Sequence, residues 1–251
     1  MLMPTYKLTI EYDGTAYAGW QHQPDQPTVQ RTLEEALFQI SQTGTSTIAA
    51  GRTDAGVHAL GQVVSFRSDK PLSPEEWTRS LNGVLPKDVC VHRTEQVPET
   101  FHARYSATQK TYEYRILNHP IRPVLNRLRM WHIPKPLELT SLQAAAPALI
   151  GQHDFSSFEG SSTDNENPTC HMHALRIHEE PPIIRITFKA DRFLKQMVRA
   201  IVGTLVEVAQ GTRSPADMKA ILAAHDRRAA GKTAPPHGLY LLNVEYEGEE
   251  G

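Results

Sequence analysis

Strand-like and helix-like runs follow each other in this chain without a fixed alternation, and that irregular order narrows its possible folds more than any other feature. YKLTIEYDG near the start alternates apolar and polar residues and ends at Asp13-Gly14, a strand running into a turn. Val29, Leu33, Ala36, Leu37 and Ile40 then recur at helical spacing after Pro27-Thr28, which can start and cap a helix. STIAA and GQVVSFR read as strands flanking a glycine-bearing loop, Gly51 to Gly56. SPEEWTRSLNGVL reads as a short helix with Ser73 as N-cap, Pro74 in the first position and acids in the first turn. VCVHRTEQV and TYEYRIL follow as strands.

The second half predicts a helix near 139–150, strands near 173–190, a long helix from about 192 to 209, a short helix from Pro215 and a final strand GLYLLNVEY. Pro-rich stretches at 118–136 and 159–168 read as long loops. A doubly wound parallel sheet would alternate strand and helix regularly. This order, with its hairpins, predicts an α+β fold of antiparallel sheets carrying helices on one face. The 251 residues fit two moderate domains, 1–105 and 106–251, with a basic cleft between them.

Apolar residues make up 39% and charged residues 22%, without low-complexity tracts, so the chain is expected to be ordered throughout. No apolar run approaches the roughly 18 residues of a membrane span, and the N-terminus lacks a basic segment followed by an apolar one, so the chain reads as cytoplasmic. Cys90 and Cys170 are too few for a disulfide framework and read as free thiols. A net charge of −2 does not advertise nucleic-acid binding. Between 101 and 130, however, Arg104, Lys110, Arg115, Arg122, Arg127 and Arg129 stand against the single acid Glu113. The C-terminus runs the other way, with Glu245, Glu247, Glu249 and Glu250. A local basic surface on a mildly acidic protein suits a polyanion gripped at one place. It is equally read as an ordinary solvated strand pair.

Gly51-Arg52-Thr53-Asp54-Ala55-Gly56 carries the chemistry. Glycine admits backbone conformations that other residues resist and lets a ligand approach closely. An aspartate displayed there, two residues from a cation, can be held ionised as a nucleophile or base. Asp-Ala-Gly is also a common turn, and on residue chemistry alone the plain turn is the stronger reading. Likewise Arg199 falls on a basic stripe with Arg192 and Lys195, opposite an apolar arc of Phe193, Leu194, Met197, Val198, Ile201, Val202 and Leu205, with Gly203 leaving room along the stripe. That stripe also fits a plain solvated helix face. Tyr112, alternating with Tyr114 in a strand, reads as either a core aromatic or a stacking platform.

GRTDAGVHA closely resembles the signature of the TruA family of tRNA pseudouridine synthases. EYDGTAYAGWQ, FHARYSAT at 101–108, KTYEYRI at 110–116, FLKQMVRAIVG at 193–203 and GLYL at 238–241 resemble further family segments in family order, so the likeness covers nearly the whole chain. The resemblance implies a pseudouridine synthase fold with its catalytic cleft between two domains whose sheets join. It implies a homodimer with one tRNA contacting both subunits, and isomerisation of uridines at tRNA positions 38, 39 and 40 in the anticodon stem-loop. It places Asp54 as the nucleophile and Arg52 as an arginine that grips the RNA and displaces the target base. Tyr112 becomes the tyrosine that stacks on the flipped uracil, Arg199 the basic partner of the carboxylate and Leu241 an apolar residue lining the pocket.

The reaction explains these residue types. It breaks the C1′–N1 bond, turns the uracil and joins C1′ to C5, with no redox change and no group transferred, so no cofactor is called for. An ionised carboxylate can attack C1′ or C6 to give a covalent intermediate, and both routes stay open. A stacked base must first be flipped out, and an aromatic platform with cationic backbone contacts offsets that cost. The chain departs from the family pattern at PTCHMHAL, where an arginine is usual after a Thr-x pair, and at Asp191-Arg192-Phe193-Leu194, where an asparagine usually leads. Cys170, His171 and His173 with His153 and Asp154 raise a metal alternative, but their spacing fits no standard zinc pattern and no metal is expected. No membrane or DNA partner is expected. The rival readings are a silent tRNA-binding protein on the same fold, disfavoured by the retained Asp54, Arg52, Tyr112 and Arg199, and a related synthase acting on a different RNA.

Overall fold

A computed structural model describes residues 3–160 and 167–248. Most of the loop expected at 159–168, and Glu249 and Glu250 of the acidic tail, lie outside the described residues. The chain divides into two compact units, Met1–Thr108 with Tyr240–Gly251, and Gln109–Leu239.

The first unit contains β1 (Thr5–Tyr12), α1 (Val29–Ser41), β2 (Ile48–Ala49), β3 (His58–Arg67), α2 (Pro74–Val84) and β4 (Val89–Val97). β1 runs antiparallel between β3 and β4, and β2 pairs antiparallel with β3. Tyr6, Leu8, Ile10 and Tyr12 of β1 are all buried, and their period of two puts them on one face. Trp77 of α2 packs against that layer, its ring 5.8 Å from Tyr6 and 5.2 Å from Phe66. Truncating so fully buried an aromatic would cost about 3–5 kcal/mol. α2 starts at Ser73 as its sequence predicts, and the structure completes a capping box there: the Glu76 amide donates to the Ser73 hydroxyl and the Ser73 amide to the Glu76 carboxylate. α1 starts at Thr28, whose hydroxyl accepts from the Arg31 amide, and buries Val29, Leu33, Ala36 and Leu37.

The second unit contains β5 (Ala107–Asn118, whose first two residues belong to the first unit), β6 (Trp131–Ile133), α3 (Leu139–Ala145), β7 (Gly151–Asp154), β8 (Thr169–Glu180), β9 (Ile183–Ala190), α4 (Met197–Ala209) and α5 (Asp217–Ala224). β9 lies antiparallel between β5 and β8, β7 adds antiparallel to β8, and β6 pairs parallel with the end of β5. From Tyr240 the last strand, β10 (Leu239–Tyr246), belongs to the first unit, where it pairs parallel with β3. The fold is α+β and mostly antiparallel, as the element order predicts.

One helix differs from its prediction. α4 begins at Met197, not near 192, because Gln196 takes a left-handed conformation with φ 60° and the Met197 amide donates to the Leu194 carbonyl in a turn. The Lys195 carbonyl accepts from the Gly160 amide at 2.8 Å instead of entering a helix. Arg192 and Lys195 therefore share no helical stripe with Arg199. Within α4 every residue except Arg199 and Glu207 is buried, so the helix is a core element rather than one with a solvated face.

Candidate active site

The segment 51–57 is fixed by backbone contacts from a second glycine-containing segment, 13–20. The Trp20 amide donates to the Thr53 carbonyl at 3.0 Å and the Gly56 amide to the Tyr17 carbonyl at 3.3 Å. The Val57 amide closes a turn onto the Asp54 carbonyl at 3.1 Å. Gly19 sits against Thr53, Asp54 and Ala55 with φ +102°, a conformation that side chains rarely adopt. Past the turn, the Nδ1 of buried His58 lies 3.0 Å from Asp13 Oδ1 and accepts from the Gly14 amide at 3.1 Å. EYDGTAYAGWQ and GRTDAGVHA thus form one interlocked structure. Arg52 is exposed, Asp54 half-buried and Thr53 buried between them.

Buried side chains hold the same loop from inside. Tyr12 and Thr53 share a hydroxyl–hydroxyl hydrogen bond of 2.8 Å, and the Gln62 amide donates to the Gly51 carbonyl at 2.7 Å. Burial pushes the Tyr12 phenol up to about 12, against hydrogen bonds to Thr53 and Gln62 that act the other way. Leu241 is fully buried on β10, in register with Ala59 of β3, and its neighbour Tyr240 stacks on His58 at 4.8 Å. Arg52, Asp54 and Leu241 therefore belong to the first unit.

Tyr112 and Arg199 belong to the second. Tyr112 lies on β5 opposite Phe188 of β9, is 7% exposed, and meets the Phe193 ring edge-on at 5.0 Å. Arg199 donates from Nε to the Ala234 carbonyl at 2.8 Å, and the Ala234 amide returns a bond to the Arg199 carbonyl at 3.0 Å. The strap that carries Ala234 crosses α4 at Gly203, where a Cβ would collide with the Lys232 carbonyl. It is fastened further along by the Gly231 amide on Thr204 Oγ1 and the Lys232 amide on Glu207, both about as short as good hydrogen bonds. Beside Arg199, the Tyr114 hydroxyl donates to the Pro235 carbonyl at 2.7 Å, and burial pushes that phenol far up. His237 is held below its usual value by burial first and by the charge of Arg199 as well, against a backbone hydrogen bond at Met130 that raises it.

The basic segment is less free than its composition suggests. Arg115 donates to the Glu113 carboxylate at 2.6 Å, and Arg185 reaches the same oxygen at 3.2 Å. Arg104 lies over the Tyr105 ring at 5.4 Å, while Arg122 is exposed. The two departures from the family pattern touch each other: Asp191 Oδ1 accepts from the amides of His171 and Arg192 at 2.8 and 2.6 Å. Cys170 is buried with its thiol pushed up to about 12 by desolvation, whereas the neighbouring His171 and His173 are exposed. Among the described residues no three His, Cys, Asp or Glu side chains converge on a metal-sized site, and no helix is long and apolar enough to cross a membrane.

This is an α+β framework that displays an aspartate and an arginine on a rigid loop, and comparison with known proteins names its class. The model of the tRNA pseudouridine synthase family matches residues 8–106 and 145–247. The tRNA pseudouridine synthase A of Chromobacterium violaceum is 45% identical over 243 residues, covering 96% of this chain and 93% of that one. Its counterpart from Caldicellulosiruptor saccharolyticus is 42% identical over 239 residues, covering 95% and 98%, and that from Paraburkholderia xenovorans 41% over 244 residues, covering 97% and 90%. The chain belongs to the tRNA pseudouridine synthase family, and is an isomerase of uridine in tRNA.

Proposed function

We propose that this enzyme converts uridines at positions 38, 39 and 40 of the tRNA anticodon stem-loop to pseudouridine through a covalent intermediate on Asp54. The observation that carries this reading is the loop itself: Thr53 is bonded on both its backbone and its side chain, while Arg52 and Asp54 on either side keep their side chains at the surface. A carboxylate so held needs little reorganisation to attack C1′ or C6. Arg52 grips the RNA and displaces the target base, Tyr112 stacks on the uracil and assists departure of the C5 proton, Arg199 pairs with the carboxylate and Leu241 lines the pocket. Tyr112 is supported in its place by the Phe193 edge, and Arg199 by the Ala234 carbonyl. The working enzyme is a cytoplasmic homodimer, and the isomerisation draws on no cofactor or metal.

The deciding experiment maps pseudouridine in tRNA from cells with and without the protein. Loss at positions 38–40 alone, restored by the wild-type gene and not by Asp54→Ala, is the expected result. Loss elsewhere in tRNA would keep the isomerase and overturn the site.

A further inference from the structure

We propose that Tyr12 and Gln62, which lie in the core and face no solvent, are positioning residues for Asp54 and Arg52, acting as an internal clamp that sets the backbone of the catalytic loop. The proposal rests on Asp54 being the nucleophile.

Two of the three hydrogen bonds have a fixed direction. The Gln62 side-chain nitrogen can only donate; it gives one hydrogen to the Gly51 carbonyl at 2.7 Å and the other, over a longer 3.4 Å, to the Tyr12 oxygen. The Tyr12 and Thr53 hydroxyls in turn share a hydrogen bond of 2.8 Å, in which either oxygen can donate. Burial pushes the phenol up to about 12, so it keeps its proton at working pH. The chain from Gln62 through Tyr12 thus ends on Gly51 and Thr53, the residues on either side of Arg52 and the one immediately before Asp54. Pinned and displayed residues alternate.

The arrangement is expensive as mere packing. Gln62 is 0% exposed, and its Oε1 has no hydrogen-bond partner among the described residues. Burying such an oxygen is unfavourable, and an apolar side chain of similar shape would avoid it while still filling the core. What only the amide supplies is one donor aimed at the loop carbonyl of Gly51 and a second that reaches Tyr12. Catalytic groups need holding to about half an ångström, and a clamp on the adjacent backbone provides that tolerance.

The test is single-turnover isomerisation of prefolded tRNA at saturating enzyme, with tRNA dissociation constants measured alongside. Tyr12→Phe removes one oxygen and keeps the buried ring; Thr53→Val removes its partner. Each is expected to slow the chemical step about tenfold while leaving the dissociation constant within about twofold. The double variant is expected to be no slower than the slower single, since both cut the same link, and Thr53→Ser to stay near the wild-type rate. Should Tyr12→Phe fail to fold, the contrast between Thr53→Val and Thr53→Ser decides alone. Singles slowed less than about threefold, a double variant that multiplies both losses, or a loss confined to binding would each overturn the clamp. Asp54→Ala is assayed in parallel: turnover by that variant overturns the nucleophile reading, whereas an inactive Asp54→Ala beside a fast Tyr12→Phe overturns only the clamp.

Discussion

Gly19 and Thr53 pack backbone against backbone, so closely that a Cβ on Gly19 would lie 2.7 Å from the Thr53 carbonyl oxygen and 3.1 Å from the Asp54 carbonyl carbon. These atoms are main chain and cannot swing aside, and φ at Gly19 is +102°. Gly19→Ala is therefore expected to displace the loop carrying Asp54, costing about 1–3 kcal/mol in strain and most of the turnover. Thermal unfolding and single-turnover assays check both. A variant with wild-type rate would show that the loop tolerates the shift.

Asp54→Ala tests the chemistry separately from the scaffold. Asp54 is half-buried, its main-chain carbonyl closes the turn to Val57, and the backbone hydrogen bonds at Thr53 and Gly56 do not use its side chain. The variant is expected to fold, melt within a few degrees of wild type and bind tRNA, yet form no pseudouridine. Residual isomerisation by the folded variant would remove the nucleophile from Asp54.

Tyr112 separates packing from chemistry. It is 7% exposed with Phe193 at its edge, so Tyr112→Ala should lose about 3–5 kcal/mol as well as activity. Tyr112→Phe should keep the stability and the substrate affinity and lose turnover. Equal turnover by the two aromatic residues would leave the hydroxyl with no essential part.

How much of this was legible in the sequence depends on how local each feature is. The caps at Ser73 and Thr28 were readable because the bonding atoms lie three residues apart. Arg52 and Asp54 stood out as charged residues between glycines. The α4 boundary was not readable, since the left-handed turn at Gln196 accompanies the bond between Gly160 and Lys195, which no local period encodes. Nor was the fastening of Thr53 by Tyr12, 41 residues distant, or the parallel pairing of β10 with β3. Two glycines in EYDGTAYAGWQ, a stretch without periodicity, were the one local sign that this segment supports another backbone. Charge was misleading for the same reason: Arg115 counts as basic in sequence and is engaged by Glu113 in the fold.

That engagement divides the basic residues into two kinds. Binding of tRNA is expected to weaken steeply with salt, by about tenfold or more between roughly 50 and 200 mM, as counterions compete for phosphates. Arg122 and Lys195 are exposed, and replacing either by Ala should lower affinity for all tRNAs and flatten the salt slope. Arg115→Ala should instead cost about 1–3 kcal/mol of stability, because Glu113 is buried and loses one of its two arginines. Titrations across salt and urea unfolding tell the two kinds apart. An Arg115→Ala protein of full stability and weakened binding would return that residue to the RNA surface.

The strap over α4 carries a pH signature through Glu207. Burial acts to raise its carboxyl, but the hydrogen bond from Arg213 at 2.6 Å and the Lys232 amide at 3.0 Å outweigh it and hold the group below its ordinary 4.5. A folded-state value below the unfolded one stabilises the fold fully above the unfolded value, and that contribution disappears as pH falls through the folded value. Glu207→Gln should therefore be less stable than wild type near neutrality, with the gap closing below about pH 4.5 as the wild-type carboxylate takes up its proton. Because the same strap presents Ala234 to Arg199, the variant should also turn over more slowly at neutral pH, where the fastening is normally intact. Urea unfolding from neutral to acid pH reads the first effect. A gap between the two proteins that stays constant across that range would mean that the Glu207 charge does not fasten the strap.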